Sequence, residues 1–251
     1  VIVGLVKSLL VYYGIPFRRR RMRRMYRRFL SPGALAFDIG SHLGNRVRAF
    51  VSLGARAVAV EPTGACVRIL TRLYGGRRDV EIEPVAVGAA EGTAMLHVAR
   101  SAPTLNTISA EWISRVKEVS IFDGVQWSAS ETVPVTTLDT LIRRYGEPAF
   151  VKIDVEGHEP EVLQGLTTPV AALSFELLPA SSERAVRCVE RLEALGSYRY
   201  NYSPVETMRL RWSQWVSAAT IRVFAESLPR DGRSGDVYAV RTDRLPSDNT
   251  L

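Results

Sequence analysis

Cysteine and histidine are scarce. The 251 residues contain two cysteines, Cys66 and Cys188, and three histidines. The cysteines form no C-x-x-C pair and no Cys/His cluster, which argues against a zinc site or a disulfide framework. Two isolated thiols suit a reducing compartment, so the expected location is cytoplasmic. Long apolar runs are missing too. Residues 1–13 are mostly apolar but are interrupted by Lys7, and the run is too short to span a bilayer. It also lacks the charged start and small-residue cleavage site of a signal peptide. No internal repeat or low-complexity tract occurs.

Negative charge is absent from one end of the chain. Residues 1–30 carry nine basic side chains and no acidic one; the rest of the chain holds 24 basic against 26 acidic residues. The net charge of +7 is therefore local. A nucleic-acid enzyme spreads positive charge around its cleft, so no nucleic-acid partner is expected. Residues 17–30 read as an amphipathic helix. Met22, Met25, Tyr26, Phe29 and Leu30 recur at helical spacing, arginines fill the other face, and Pro32-Gly33 ends it. One reading packs this helix on the domain with a solvated arginine face. The other makes it an interfacial helix in peripheral contact with anionic lipid.

What is present is an alternation of strand and helix patterns. Ala34 to Ile39 and Ala57 to Val60 are apolar runs and Val80 to Val87 reads as a third strand; Asn45 to Leu53 and Val67 to Tyr74 have helical spacing between them. That order predicts a right-handed parallel sheet. Gly92 to Thr137 is less regular: Met95 to Val98 reads as a hairpin strand partnered near Thr132 to Val135, with a polar segment carrying Trp112 and Trp127 between them. It reads as an insertion over one sheet edge, where loops often hold substrate contacts. Further strands are expected at Phe150 to Val155, Ala171 to Leu177, Tyr198 to Tyr202 and Val237 to Arg241, and helices at Leu138 to Tyr145 and residues 182–195. The expected organisation is a basic helical extension, 1–33, and one domain, 34–251.

Two segments carry chemistry. Phe37 to Gly44 (FDIGSHLG) follows a strand and opens a helix. Gly40 lets the backbone turn and a ligand approach. The dinucleotide fingerprint G-x-G-x-x-G is missing, since Gly40 and Gly44 stand alone, so a diphosphate grip and an NAD-dependent oxidoreductase are disfavoured. A cofactor without phosphates, such as S-adenosylmethionine, fits better, with Asp38 or a water it holds meeting the ammonium group. Glu61, at the end of the next strand, can accept two ribose hydroxyls. The alternative is a plain strand–helix turn with a surface glutamate. In the second segment, Val151 to Glu159 (VKIDVEGHE), Lys152, Asp154 and Glu156 alternate with apolar residues in what should be a buried strand. Polar groups so placed are paired or functional. Gly157 permits a turn bringing His158 over the strand end, and Glu176 closes the following strand. A structural ion pair of Lys152 with Asp154 or Glu176, plus a capping His158, is the plainer reading.

These segments, with Val60-Glu61-Pro62, Val85 to Gly88, Val135 to Leu141, Val162 to Leu166 and Phe175-Glu176, occur in the order found in the FkbM-type methyltransferases, which residues 34–178 resemble. The resemblance implies a class I (Rossmann-like) α/β fold with a seven-stranded sheet, one strand antiparallel, S-adenosylmethionine as methyl donor, and usually a hydroxyl acceptor on a small molecule such as a secondary metabolite, sugar or glycolipid. It implies cofactor contacts at Asp38, Gly40, Ser41, Glu61, Pro62 and Ala86, with His42, Gly44 and Asp154 beside them. The family more often reads D-I-G-A-N-x-G, whereas Ser41 and His42 stand here. For in-line displacement at the sulfonium methyl, the expected general base is His158 or Asp154, with Glu176 in the same catalytic cluster. A divalent metal on Asp154, Glu156 and Glu176 is a further expectation, since hard oxygen ligands suit magnesium. The competing class is a non-catalytic binding module that meets a membrane through its basic helix.

Overall fold

A computed structural model describes residues 18–99, 102–119, 122–204 and 207–245. The apolar run 1–13 and the Pro16 break lie outside the described residues. Three parallel strands open the sheet: β1 (Leu35–Ile39), β2 (Arg56–Val60) and β3 (Val80–Glu83). Helices α2 (Asn45–Val51) and α3 (Gly64–Tyr74) connect them. β7 (Phe150–Ile153) and β8 (Ala172–Leu177) continue on the far side of β1, preceded by α5 (Leu138–Tyr145) and joined by α6 (Glu159–Gln164). After α7 (Ser182–Leu195) come β9 (Tyr198–Pro204), α8 (Ala218–Ser227) and β10 (Gly235–Arg241). The sheet order is β3-β2-β1-β7-β8-β10-β9, and β10 runs antiparallel to both of its neighbours. This is a seven-stranded α/β sheet with one reversed strand, as the resemblance implies.

The sheet is apolar on both faces because helices cover both. Phe37, Ile39, Val151, Ile153 and Phe175 pack on one side with Leu141, Leu163 and Leu192 of the covering helices. Ala36, Ala57, Ala59 and Phe150 pack on the other with Val47 and Phe50 of α2. That second core also contains Met22, Met25 and Tyr26 of α1 (Arg18–Tyr26) and Leu30 beyond it. Phe29 stacks on Phe150 with ring centroids 4.8 Å apart. The helix is shorter than the expected 17–30: it ends at Tyr26, and turns carry the chain to Leu30. Its apolar stripe lies against the domain, and the exposed side carries arginines.

One expectation needs correcting, and one holds within a larger sheet. Val80 to Val87 is not one strand. Pro84, which has no N–H for a ladder, separates β3 from β4 (Ala86–Val87), which joins a second sheet. That sheet has the order β4-β6-β5, with β5 (Gly92–Ala99) antiparallel to β6 (Trp127–Thr136) and Met95 opposite Thr132. The expected hairpin is thus part of a three-stranded sheet. Between its strands lies α4 (Ala110–Val116), with Trp112 fully buried.

Candidate active site

The carboxyl ends of β1, β2 and β7 meet at one open cavity, where Ile39, Val60 and Asp154 form part of the wall. Gly40 makes this junction possible. Its φ is +80°, and a Cβ there would run into the carbonyl oxygen of Asp154. Asp154 in turn donates its N–H to the Ile39 carbonyl at 2.9 Å. The Gly40 and Ser41 N–H groups are both spent on the Val60 carbonyl, at 2.9 and 3.0 Å. The loop is thereby tied to β2, where Glu61 begins.

Glu61 is 5 % exposed and lines the cavity. Its carboxylate accepts the His42 N–H at 2.9 Å and the Thr63 N–H at 2.8 Å, one on each oxygen. Burial pushes its pKa up, opposed by these hydrogen bonds. Each oxygen keeps acceptor capacity for a ligand. His42 adopts φ +48°, a conformation that asparagine and glycine tolerate better. Burial lowers its imidazole to about 4, so the ring is neutral at ordinary pH.

The second segment folds as a turn of two left-handed residues, Glu156 at φ +52° and Gly157 at φ +85°. Any side chain on Gly157 would collide with the Trp112 ring. The Glu159 carboxylate accepts the N–H groups of Val155 and Gly157 at 3.2 and 3.1 Å and closes the turn. His158 thereby lines the cavity. Its Nδ1 lies 3.6 Å from Glu161, and Gly88 leaves room for Nε2, since a Cβ there would sit 3.4 Å from it. Burial lowers the His158 pKa, opposed by Glu161 and aided by Arg184.

Lys152 is fully buried and pairs with Asp236 at 2.9 Å and Asp154 at 3.4 Å. Burial alone would lower its pKa; the Asp154 and Asp236 carboxylates outweigh it and hold the ammonium charged. The expected alternative partner Glu176 is replaced by Asp236. The reversed strand β10 runs alongside β8 and sets Asp236 opposite Glu176. Asp154, Glu156 and Glu176 each offer an oxygen within 4.8 Å of the others. Burial and the neighbouring carboxylates push Glu156 and Glu176 well above the usual carboxylate range.

Of the residues singled out in the sequence, Gly40, His42, Glu61, Pro62, Ala86, Asp154, Glu156 and His158 line this cavity. Asp38, Ser41, Gly44 and Glu176 stand outside its wall. Asp38 is 1 % exposed, in register with Lys152. Burial raises it to about 7 against the pull of Arg46 and Lys152. Asp38 Oδ2 and Ser41 Oγ are buried without a hydrogen-bond partner among the described residues. Gly44 lies under Tyr74, whose hydroxyl donates to the Gly44 carbonyl at 2.9 Å. Sequence reasoning missed one wall, residues 103–108 ahead of α4. There Asn106 donates to Thr63 Oγ1 at 3.2 Å and Thr107 to the Glu156 carbonyl at 2.8 Å. The insertion and its tryptophans were the only signal, and Trp127 does hold this wall through a 2.8 Å bond to the Leu105 carbonyl.

The strand order, the single reversed strand and a cavity at the carboxyl ends of β1, β2 and β7 define a class I methyltransferase fold. Residues 38–210 match the methyltransferase FkbM domain. The chain belongs to the FkbM methyltransferase family, and its methyl donor is S-adenosylmethionine. No curated protein matches the sequence. The solved structures that the chain is similar to are low in identity. The precorrin-6y C5,15-methyltransferase of Geobacter metallireducens GS-15 is 11 % identical with a TM-score of 0.48, over 89 % of this chain and 86 % of that one. The O-methyltransferase of Bacillus cereus in complex with SAH is 11 % identical with a TM-score of 0.48, over 96 % and 91 %. TomG of Streptomyces achromogenes, an O-methyltransferase involved in tomaymycin synthesis and solved with SAM, is 12 % identical with a TM-score of 0.44, over 95 % and 89 %. Among the described residues no helix is long and apolar enough to cross a membrane.

Proposed function

We propose that the chain is an O-methyltransferase that acts on a hydroxyl of a small molecule, in the class of secondary metabolites, sugars or glycolipids. The observation that carries this reading is one cavity with the Glu61 carboxylate on one wall and Asp154 and His158 on another. The residues fit the donor. Glu61 keeps lone pairs for two ribose hydroxyls. Pro62, Ala86 and Leu96 supply apolar wall for the adenine. Gly40 and His42 border the amino-acid end, and the unpartnered Ser41 and Asp38 oxygens behind them suit a bridging water to its ammonium. When bound, the donor supplies a methyl on a sulfonium, which needs no further activation as a leaving group.

The chain's own work is alignment, exclusion of water and handling of one proton. His158 is the proposed base. Burial keeps the imidazole neutral, so a ring nitrogen can accept the hydroxyl proton as the new bond forms. Asp154, anchored by Lys152, orients the acceptor hydroxyl. Cys66 and Cys188 are free and buried, which suits action in the cytoplasm. A divalent cation on Asp154, Glu156 and Glu176 is a second reading, favoured by their mutual approach within 4.8 Å; loss of activity in chelator and its return with magnesium support it.

The test follows labelled methyl from the donor into a panel of hydroxyl-bearing acceptors. Label in an alkali-stable ether, lost in His158→Ala while donor binding persists, supports the reading. Full turnover in both His158→Ala and Asp154→Ala removes these roles. Donor binding without transfer to any acceptor moves the chain to the non-catalytic binding module.

A further inference from the structure

Residues 103–108 of the insertion share the cavity with Glu61, and the backbone is pinned on both sides of Asn106. The Leu105 carbonyl accepts the Trp127 Nε1–H at 2.8 Å. Thr107 exchanges two backbone hydrogen bonds with His97, at 2.8 and 3.2 Å. The Asn106 side chain therefore stands on a fixed support. Its own orientation is fixed as well. The Ala99 N–H can only donate, and it donates to Asn106 Oδ1 at 2.9 Å. The amide NH2 is thereby turned to the other side, where it donates to Thr63 Oγ1 at 3.2 Å.

That contact has a direction. A hydroxyl oxygen that accepts from an N–H keeps its own proton for a further acceptor. The Thr63 hydroxyl gives that proton to the Glu61 carboxylate, which also accepts the Thr63 N–H at 2.8 Å and the His42 N–H at 2.9 Å. Thr63 is 6 % exposed and Glu61 5 %, so Asn106, Thr63 and Glu61 form a series of hydrogen bonds through a buried wall, where each bond polarises the next. Burial favours the uncharged carboxyl of Glu61, and the Thr63 hydroxyl is the largest of the groups that oppose it. Three protein donors hold the carboxylate, and its remaining acceptor capacity is left for a ligand.

We propose that Asn106 is a positioning residue for the methyl donor: through Thr63 it holds the Glu61 carboxylate in the orientation that accepts the ribose hydroxyls. The proposal rests on the reading of Glu61 as the ribose acceptor. It gives the insertion a part in donor recognition, although Asn106 lies 43 residues from Thr63 in the chain.

The test is calorimetric titration of the full chain with S-adenosylhomocysteine and with its 2′-deoxy analogue, which lacks one ribose hydroxyl and has the same charge. The wild-type chain should prefer the ribose form about 10- to 100-fold, the worth of a hydrogen bond to a charged group. Asn106→Asp keeps the acceptor for the Ala99 N–H but offers Thr63 a second acceptor, which draws the hydroxyl proton away from Glu61. It should cut the ribose preference roughly 3- to 10-fold, the worth of a neutral hydrogen bond. Thr63→Val should do the same, and Thr63→Ser, which keeps the hydroxyl, should retain the preference. An added charge or a slackened wall would shift both ligands alike and leave their ratio as it was. A wild-type chain that does not distinguish the two ligands, or whose preference survives Glu61→Gln, overturns the ribose reading and the proposal with it. A preference that Glu61→Gln abolishes but Asn106→Asp leaves unchanged overturns the role of Asn106 alone.

Discussion

Replacing His42 by asparagine isolates the electrostatic consequence of a single buried ring in the cofactor loop. The position has φ +48°, which asparagine tolerates, and the His42 N–H that reaches Glu61 belongs to the backbone and survives the change. In the folded chain burial holds the imidazole at about 4, against 6.5 when exposed. Between these values the unfolded chain binds a proton that the folded chain refuses. This contribution is therefore intact above pH 6.5 and is lost as the pH falls to about 4. Each pH unit in the window costs about 1.36 kcal/mol, about 3 kcal/mol in all. The asparagine variant lacks the term, while His158 titrates equally in both proteins and cancels. Urea midpoints of the two proteins across the window measure the difference. The wild-type chain should lose about 3 kcal/mol more than the variant on acidification. A difference that stays constant with pH, or has the opposite sign, refutes the argument.

Gly40→Ala forces a Cβ into the Asp154 carbonyl and should abolish donor binding and lower the melting midpoint. Gly33→Ala has a similar φ of +81° with nothing within 4 Å and should cost only about 1–2 kcal/mol; equal effects would mean the β1–β7 approach is unimportant. Lys152→Met strands the buried Asp236 carboxylate and should cost about 3–5 kcal/mol, much of it restored in Lys152→Met/Asp236→Asn; urea denaturation of both variants checks this, and no restoration would place the cost elsewhere. Met25→Ala, at a position 2 % exposed, should cost about 2–5 kcal/mol. A thermal shift indistinguishable from wild type would mean that α1 docks too loosely to belong to the core.

Much of this was legible in the sequence because its signals are local. The FDIGSHLG and VKIDVEGHE segments each announce a strand end followed by a turn, and the registers Asp38–Lys152 and Ile39–Ile153 bring those two ends together. The break between β3 and β4 is also a local signal, a proline inside a stretch whose flanking residues pattern as strand. The pairing of Lys152 with Asp154 was legible; its second partner was not. Asp236 lies 84 residues away and arrives only through the reversed strand β10, while Asp154 and Glu176 looked nearer in the chain. The wall at residues 103–108 was hidden for a related reason. It has no periodicity of its own and is held by Asn106, Thr107 and Trp127 through bonds to distant backbone and side-chain groups.

The central claim is that the cavity beside Glu61 binds S-adenosylmethionine, and calorimetric titration with that ligand tests it most directly, with NAD as the control. Saturable one-to-one binding of S-adenosylmethionine and none of NAD is expected. Glu61→Ala should weaken it about 10- to 100-fold, the worth of hydrogen bonds to a charged group. A folded protein that binds NAD instead, or that binds S-adenosylmethionine equally well without Glu61, would contradict the account.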